Sequence, residues 1–289
     1  MVAKFSIKDL EKLSGIKAHT LRAWELRYGI LKPERTDTNI RWYCNNELKL
    51  LLNITLLYNN GFKISKIACL QNHDLVQEVN KLIDAQGKAC DQIEGLIISM
   101  VELDEQRFEK IISNSILHNG FAHTIEKVVY PFLHRIGILW QTGSINPAQE
   151  HFISNLIRQK LIVAIDGVPV PAIANPQKFV LYLPDGELHE LSLLYFTYVL
   201  KSKGHHVIYL GQSVPFVDLE KVFEIRSPHY IVSVFTHVPA AAEYIQQLSG
   251  TFPKTGILLS GNQCLEEGLT LPKNIRVFKT PTDLLMLIS

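Results

Sequence analysis

The amino-acid sequence predicts a multidomain fold. It reads as an all-α winged helix-turn-helix over residues 1–75, a bundle of four or five helices over 76–175, and an α/β domain over 176–289. The last is expected to be Rossmann-like (flavodoxin-like), with five parallel strands. Three observations carry this reading. Two short apolar-periodic segments near the start each end at a glycine and lead into a polar hairpin. From Asp74 to Ile165 the apolar residues recur at helical spacing. Beyond residue 177, short β-rich runs alternate with helical segments.

A chain of 289 residues is longer than one typical domain, and 47% hydrophobic with 20% charged residues makes it globular rather than disordered or fibrous. No apolar run approaches the roughly 20 residues of a membrane-spanning helix, and MVAKFSIKDLEKLSG is not a signal peptide, so a cytoplasmic location without membrane partners is expected. Cys44, Cys69, Cys90 and Cys264 form no CxxC pair, which favours reduced thiols over a zinc site or a disulfide framework. The net charge of +1 conceals an asymmetry. Residues 1–70 hold twelve Lys/Arg against six Asp/Glu, a surplus of six, while the remainder holds 17 against 22, a deficit of five. A polyanion would bind the basic end.

In FSIKDLEKLSGI, Ser6 precedes Asp9 by three residues, a helix-start signature, and Ile7, Leu10 and Leu13 follow helical spacing up to Gly15. The next segment, HTLRAWELRYG, places Leu21 and Trp24 on one face, with Thr20, Arg22 and Arg27 largely elsewhere, and closes at Gly29. Trp24 reads as core. Pro33 and the run Arg35 to Asn39 suit an exposed hairpin, followed by a helix from about Asn46 to Tyr58 and another in KISKIACL.

The string TLRAWELRYGILKPERTDTNIRWY resembles the DNA-binding domain of the MerR transcription regulators: a TLRyWE helix, a G-L-x-P-x-R turn and a wing ending in R-x-Y. The resemblance covers about residues 4–72. It implies that Thr20 and Arg22 lie on the recognition helix, Arg35 and Arg41 on the wing, and Tyr43 at the wing base. There they would hold phosphates of a double-stranded operator, with Tyr43 either contacting DNA or packing the wing. Ala23 stands where an aromatic residue is frequent in that family. No sustained heptad follows, so dimerisation and sensing are expected from the remaining chain.

In the bundle, Leu75, Val79, Leu82 and Ile83 form one apolar stripe. Ile93, Leu96, Ile97 and Met100 form another, and Phe108, Ile111, Ile112 and Ile116 a third. Breaks fall near Gly87, Asp104, Gly120 and Thr142 to Asn146. The last helix starts with Asn146 as N-cap, Pro147 at the first helical position and Gln149 three residues after the cap. Nine residues separate Trp140 from Glu150–His151, giving W-x9-E-H. Taken singly, the tryptophan reads as core and the pair as solvated.

The expected strands are 179–183, 206–211, 230–235, 256–261 and 275–280, with ligands at their carboxyl ends. No GxGxxG follows the first, which disfavours a dinucleotide. Instead ELHELS resembles the D/E-x-H-x-x-G signature of cobalamin-binding domains, with Ser233 and Ser260–Gly261 at the places of that family's serine and Gly-Gly. The resemblance implies that His189 is a cobalt ligand and that Glu187 holds its other ring nitrogen.

Together the three parts look like the adenosylcobalamin-dependent repressors of the light-responsive type, in which Trp140, Glu150 and His151 would lie against the upper corrin face. What this implies is a cytoplasmic, non-enzymatic regulator: a homo-oligomer, dimer or tetramer, whose assembly or DNA affinity follows a cobalamin (adenosylcobalamin or methylcobalamin), with light as a further candidate input. Ser192 and Ser260 depart from the family glycines, and Gln141 stands where the light sensors carry histidine. The alternatives are a regulator of the same architecture that has lost cobalamin and answers to a protein partner, and a corrinoid methyl carrier or enzyme.

Overall fold

The computed structural model describes residues 4–35, 39–84, 89–141, 146–169, 171–265 and 271–288. It divides into two compact units, 1–156 and 157–289.

The first unit opens with α1 (Ile7–Ser14), whose capping box is formed: the Ser6 hydroxyl accepts from Asp9 N, and the Asp9 carboxylate accepts from Ser6 N at 2.8 Å. Gly15 closes it at φ +72°, a left-handed cap that suits glycine. Helix α2 (Ala18–Tyr28) follows, with Leu21 and Trp24 buried and Trp24 edge-on to Tyr58, ring centres 5.0 Å apart. β1 (Glu34–Arg35) and β2 (Arg41–Trp42) pair antiparallel as a small wing, and Phe5 bridges to Tyr43.

Helices α3 (Asn45–Asn59), α4 (Ile64–Ile67), α5 (Asn72–Asp84), α6 (Ala89–Glu102) and α7 (Glu105–Asn119) come next. Leu96, Ile97, Met100, Phe108, Ile111 and Ile112 are all buried, as their stripes predict. After Gly120, α8 (Phe121–Thr124), a π turn (Ile125–Val129) and α9 (Tyr130–Gln141) run on as one helix. The apolar spacing gives no sign of the π turn. Pro131 accounts for it: a proline inside a helix lacks the N–H for the regular ladder, and a widened turn just before it accommodates the loss. Helix α10 (Pro147–Gly167) starts as predicted, with Asn146 Oδ1 accepting from Ala148 N at 2.9 Å and Gln149 Oε1 from Asn146 N at 3.3 Å.

Helix α3 packs on α6, where Asn59 donates to Glu94 and Asn60 to Asp91, both at 2.9 Å. Lys49 pairs with Glu102 at 2.7 Å, and Arg135 of α9 donates to the Leu13 carbonyl. Winged head and bundle are therefore sewn into one body.

The second unit holds β3 (Lys178–Pro184), β4 (His206–Val214), β5 (Tyr230–Val234), β6 (Gly256–Ser260) and β7 (Ile275–Val277), all parallel in the order β4-β3-β5-β6-β7. Helices α11 (Leu191–Ser202) and α14 (Pro281–Leu287) cover one face, packing Leu193, Phe196, Leu200 and Leu284 on Phe179, Leu181 and Val232. The opposite face packs Val180, Tyr182 and Ile231 against Leu219 of α12 (Phe216–Ile225) and Ile245 of α13 (Ala241–Thr251). Burial on both faces is why β3 reads as a continuous apolar run. The strand order reverses between β3 and β5, so the loops after these two strands meet at the carboxyl edge, where ligands bind in such sheets.

Candidate functional site

On the head, the stripe of α2 that buries Leu21 and Trp24 leaves Arg22 and Arg27 exposed, with Thr20 half-buried in the first turn. Arg35 of β1 is exposed and donates to Asn39 Oδ1 at 2.5 Å. Arg41 of β2 pairs through Nε with Glu25 Oε1 at 3.3 Å, and the Tyr43 hydroxyl donates to Glu25 Oε2 at 3.1 Å. Burial and the adjacent Glu25 carboxylate push the Tyr43 hydroxyl up to about 12. One carboxylate on α2 thus holds the wing at two points and fixes its angle to the helix.

At the start of α10, Gln149 donates to the Val101 carbonyl at 3.0 Å and fastens the first turn to the bundle. Glu150 accepts from Ser154 Oγ at 2.6 Å and lies 3.2 Å from His151 Nδ1, whose ring is exposed. Trp140 is on the last turn of α9; its side chain, like that of Gln141, lies outside the described residues.

The loop after β3 carries the second unit's polar constellation. Glu187 is 1% exposed, yet its carboxylate is saturated with donors. Oε1 accepts from Leu188 N (2.9 Å), His189 N (3.0 Å) and His189 Nδ1 (2.5 Å), and Oε2 from Thr236 N (2.9 Å) and His237 N (2.6 Å) in the loop after β5. Burial pushes this carboxyl up, but the donors from His237, His189 and Thr236 outweigh it, so Glu187 sits below its ordinary value and stays ionised. An ionised carboxylate can only accept, so the proton is on His189 Nδ1. In the neutral imidazole Nε2 is then the nitrogen with the lone pair, on a side chain that is 65% exposed.

The same loop is pinned to the end of β4. Gly186 N donates to Ser213 Oγ at 3.0 Å, and Gln212 Nε2 to the Leu188 carbonyl at 2.6 Å. Next to the histidine, buried Glu190 accepts from the Tyr209 hydroxyl at 2.6 Å and pairs with Arg158 of α10. Behind the loop the packing is tight. Ser233 is fully buried and donates to the Tyr182 carbonyl at 2.8 Å, and the Tyr182 and Tyr244 hydroxyls are 3.1 Å apart. Gly261, at φ +102°, lies so close to the Phe235 backbone that a Cβ there would fall 2.3 Å from its carbonyl oxygen.

Residues 5–74 match the family described as MerR HTH family regulatory protein, and residues 92–164 match the B12 binding domain. The chain joins a MerR head to a B12-binding domain. The HTH-type transcriptional repressor CarH of Myxococcus xanthus is 26% identical over 234 residues, covering 78% of this chain and 77% of CarH. CarA, an HTH-type transcriptional repressor of the same organism, is 28% identical over 247 residues, covering 84% of this chain and 80% of CarA. The chain is homologous to both. A monomethylamine corrinoid protein of Methanosarcina barkeri shares the fold, with a TM-score of 0.54 over 73% of this chain and 97% of that one, at 12% identity.

Three stretches of the sequence-predicted site are enclosed by the protein's own packing. Tyr43, expected to contact DNA or pack the wing, is 1% exposed and packs, acting through Glu25 as a positioning group. Ser233, expected to face a cofactor, has no free surface and spends its hydroxyl on β3. The absence of a side chain at Gly261 is used by the protein's own Phe235 backbone, while Ser260 beside it is 7% exposed. Glu187 and His189 are brought together as expected. The donor set fits a metal-bearing corrinoid at one point: an outward imidazole nitrogen held in one tautomer by a buried carboxylate.

Sequence reasoning missed Glu25 and the Arg158–Glu190–Tyr209 cluster. Glu190 had a signal, standing directly before the first residue of α11, beside the histidine. Glu25 had none, because its partners lie 16 and 18 residues away.

Proposed function

We propose that this chain is a transcription regulator that binds operator DNA through its MerR head and responds to a cobalamin held at His189, changing oligomeric state or DNA affinity. The observation that carries the reading is the His189–Glu187 pair in a chain whose other end is a MerR head. One imidazole is what a metal already held by a macrocycle asks of a protein. Glu187 would fix that imidazole and raise its basicity; by the family resemblance, Trp140, Glu150 and His151 would be further residues that hold the cobalamin. When bound, the cobalamin supplies a cobalt centre and, in its alkyl forms, a weak cobalt–carbon bond that light can break.

Arg22, Arg35 and Arg41, with Thr20, would contact phosphates, and the protein would act as a homo-oligomer because paired half-sites need two heads. Repression is the sign carried by the names of CarH and CarA. A cytoplasmic, non-enzymatic role follows from operator binding; among the described residues no helix is long and apolar enough to cross a membrane.

A second reading, a regulator of the same architecture that works without cobalamin, is favoured by the closed packing of Ser233, Tyr182 and Gly261. The deciding experiment is an absorption spectrum of the full chain incubated in the dark with adenosylcobalamin, desalted, and read before and after green light. Retained pigment with an altered spectrum in His189→Ala supports the first reading. A colourless wild-type protein replaces it with the second.

A further inference from the structure

The recognition helix α2 carries an apolar side chain where a charged one would be expected. Leu26 is 92% exposed, the most exposed large hydrophobic side chain among the described residues. It shares one helix face with His19, Arg22 and Ala23, at the spacing i, i+3, i+4, i+7, and all four are exposed. This face lies opposite the buried Leu21 and Trp24. A leucine held out into water on a DNA-facing helix gains by meeting an apolar group, and the only apolar group that the base pairs present in the major groove is the C5-methyl of thymine. A second copy of the same face is a poor alternative, because pairing would bring Arg22 and Arg27 of both copies against each other.

We propose that Leu26 is a specificity-determining residue that packs on a thymine methyl in each operator half-site, flanked by arginines that hold the phosphates. This rests on the reading of the head as DNA-binding.

The test starts with selection of binding sites by the full-length chain from a random duplex pool. In the selected duplex each thymine is then replaced in turn by deoxyuridine, which removes only the methyl. The expected result is one thymine per half-site at which replacement weakens binding about fourfold, the worth of roughly one buried methyl group. Leu26→Ala, a change on an exposed helix surface, should bind the thymine and uracil versions of that site equally and keep the wild-type salt dependence. The proposal is overturned if no thymine is sensitive, or if the sensitivity persists in Leu26→Ala. It is also overturned if Leu26→Ala weakens all duplexes alike while dissociating the oligomer, which would assign the leucine to a protein contact. If the wild-type chain selects no sequence and shows no salt-dependent binding, the DNA-binding reading itself falls, and this inference with it.

Discussion

Glu187 is a carboxylate kept charged in the interior by five hydrogen bonds, four of them from backbone N–H groups. Glutamine in its place offers one acceptor oxygen and turns an amide N–H toward donors, so Glu187→Gln should cost about 3 kcal/mol, read as a shift in urea midpoint. A variant as stable as the wild type would mean that the loops hold without the charge. The pH sign follows from the direction of the shift. A carboxyl below its ordinary 4.5 contributes stability that is present above that value and lost as pH falls through the folded one. Wild-type stability should therefore fall as pH drops below the ordinary value of 4.5, and more steeply than that of Glu187→Gln. The pairing of His189 with Glu187 was legible in the sequence because the two stand two residues apart. Those of Tyr43 and Ser233 were not, because nothing local says which way a side chain at the end of a strand turns.

At the scale of elements, helix starts were the most legible feature, since capping is local chemistry: Ser6 with Asp9, and Asn146 with Pro147 and Gln149, form the predicted contacts. Asn146→Ala should cost about 1 kcal/mol and fray the turn that carries Glu150 and His151, detectable as faster amide exchange there. Unchanged exchange would mean that Gln149, through Val101, holds the turn alone. The packing of α3 on α6 was not legible, and it buries an acid. Glu94 is 3% exposed, and burial pushes its carboxyl up to about 7 from 4.5. A raised carboxyl stabilises the fold fully below its unfolded value, and that contribution is lost as pH rises through the folded one. The first unit should therefore lose on the order of 3 kcal/mol between about pH 4.5 and pH 7, and Glu94→Gln should flatten the profile. Parallel wild-type and variant profiles would remove Glu94 as the cause.

For the molecule as a whole, composition and periodicity announced three kinds of structure, and all three are present. What they did not announce is that head and bundle form one body while the sheet forms another. That depends on contacts such as Asn59 with Glu94 and Arg135 with Leu13, far apart in the chain. A cobalamin bound at His189 should stabilise the second unit by about 2.7 kcal/mol at roughly 100 times its dissociation constant. In calorimetry this stabilisation should vanish in His189→Ala; a gain that persisted there would place the ligand elsewhere. The π turn at Ile125–Val129 has a consequence for the gene. It holds one residue more than a regular turn, so losing a single codon there would let the helix close into regular α geometry while the residues beyond it keep their face. Phe132 and Ile136 would stay in the core. Single-codon deletions within Ile125–Val129 should therefore be better tolerated than the same loss from a regular turn of α7 or α10, which would rotate every following residue by about 100°.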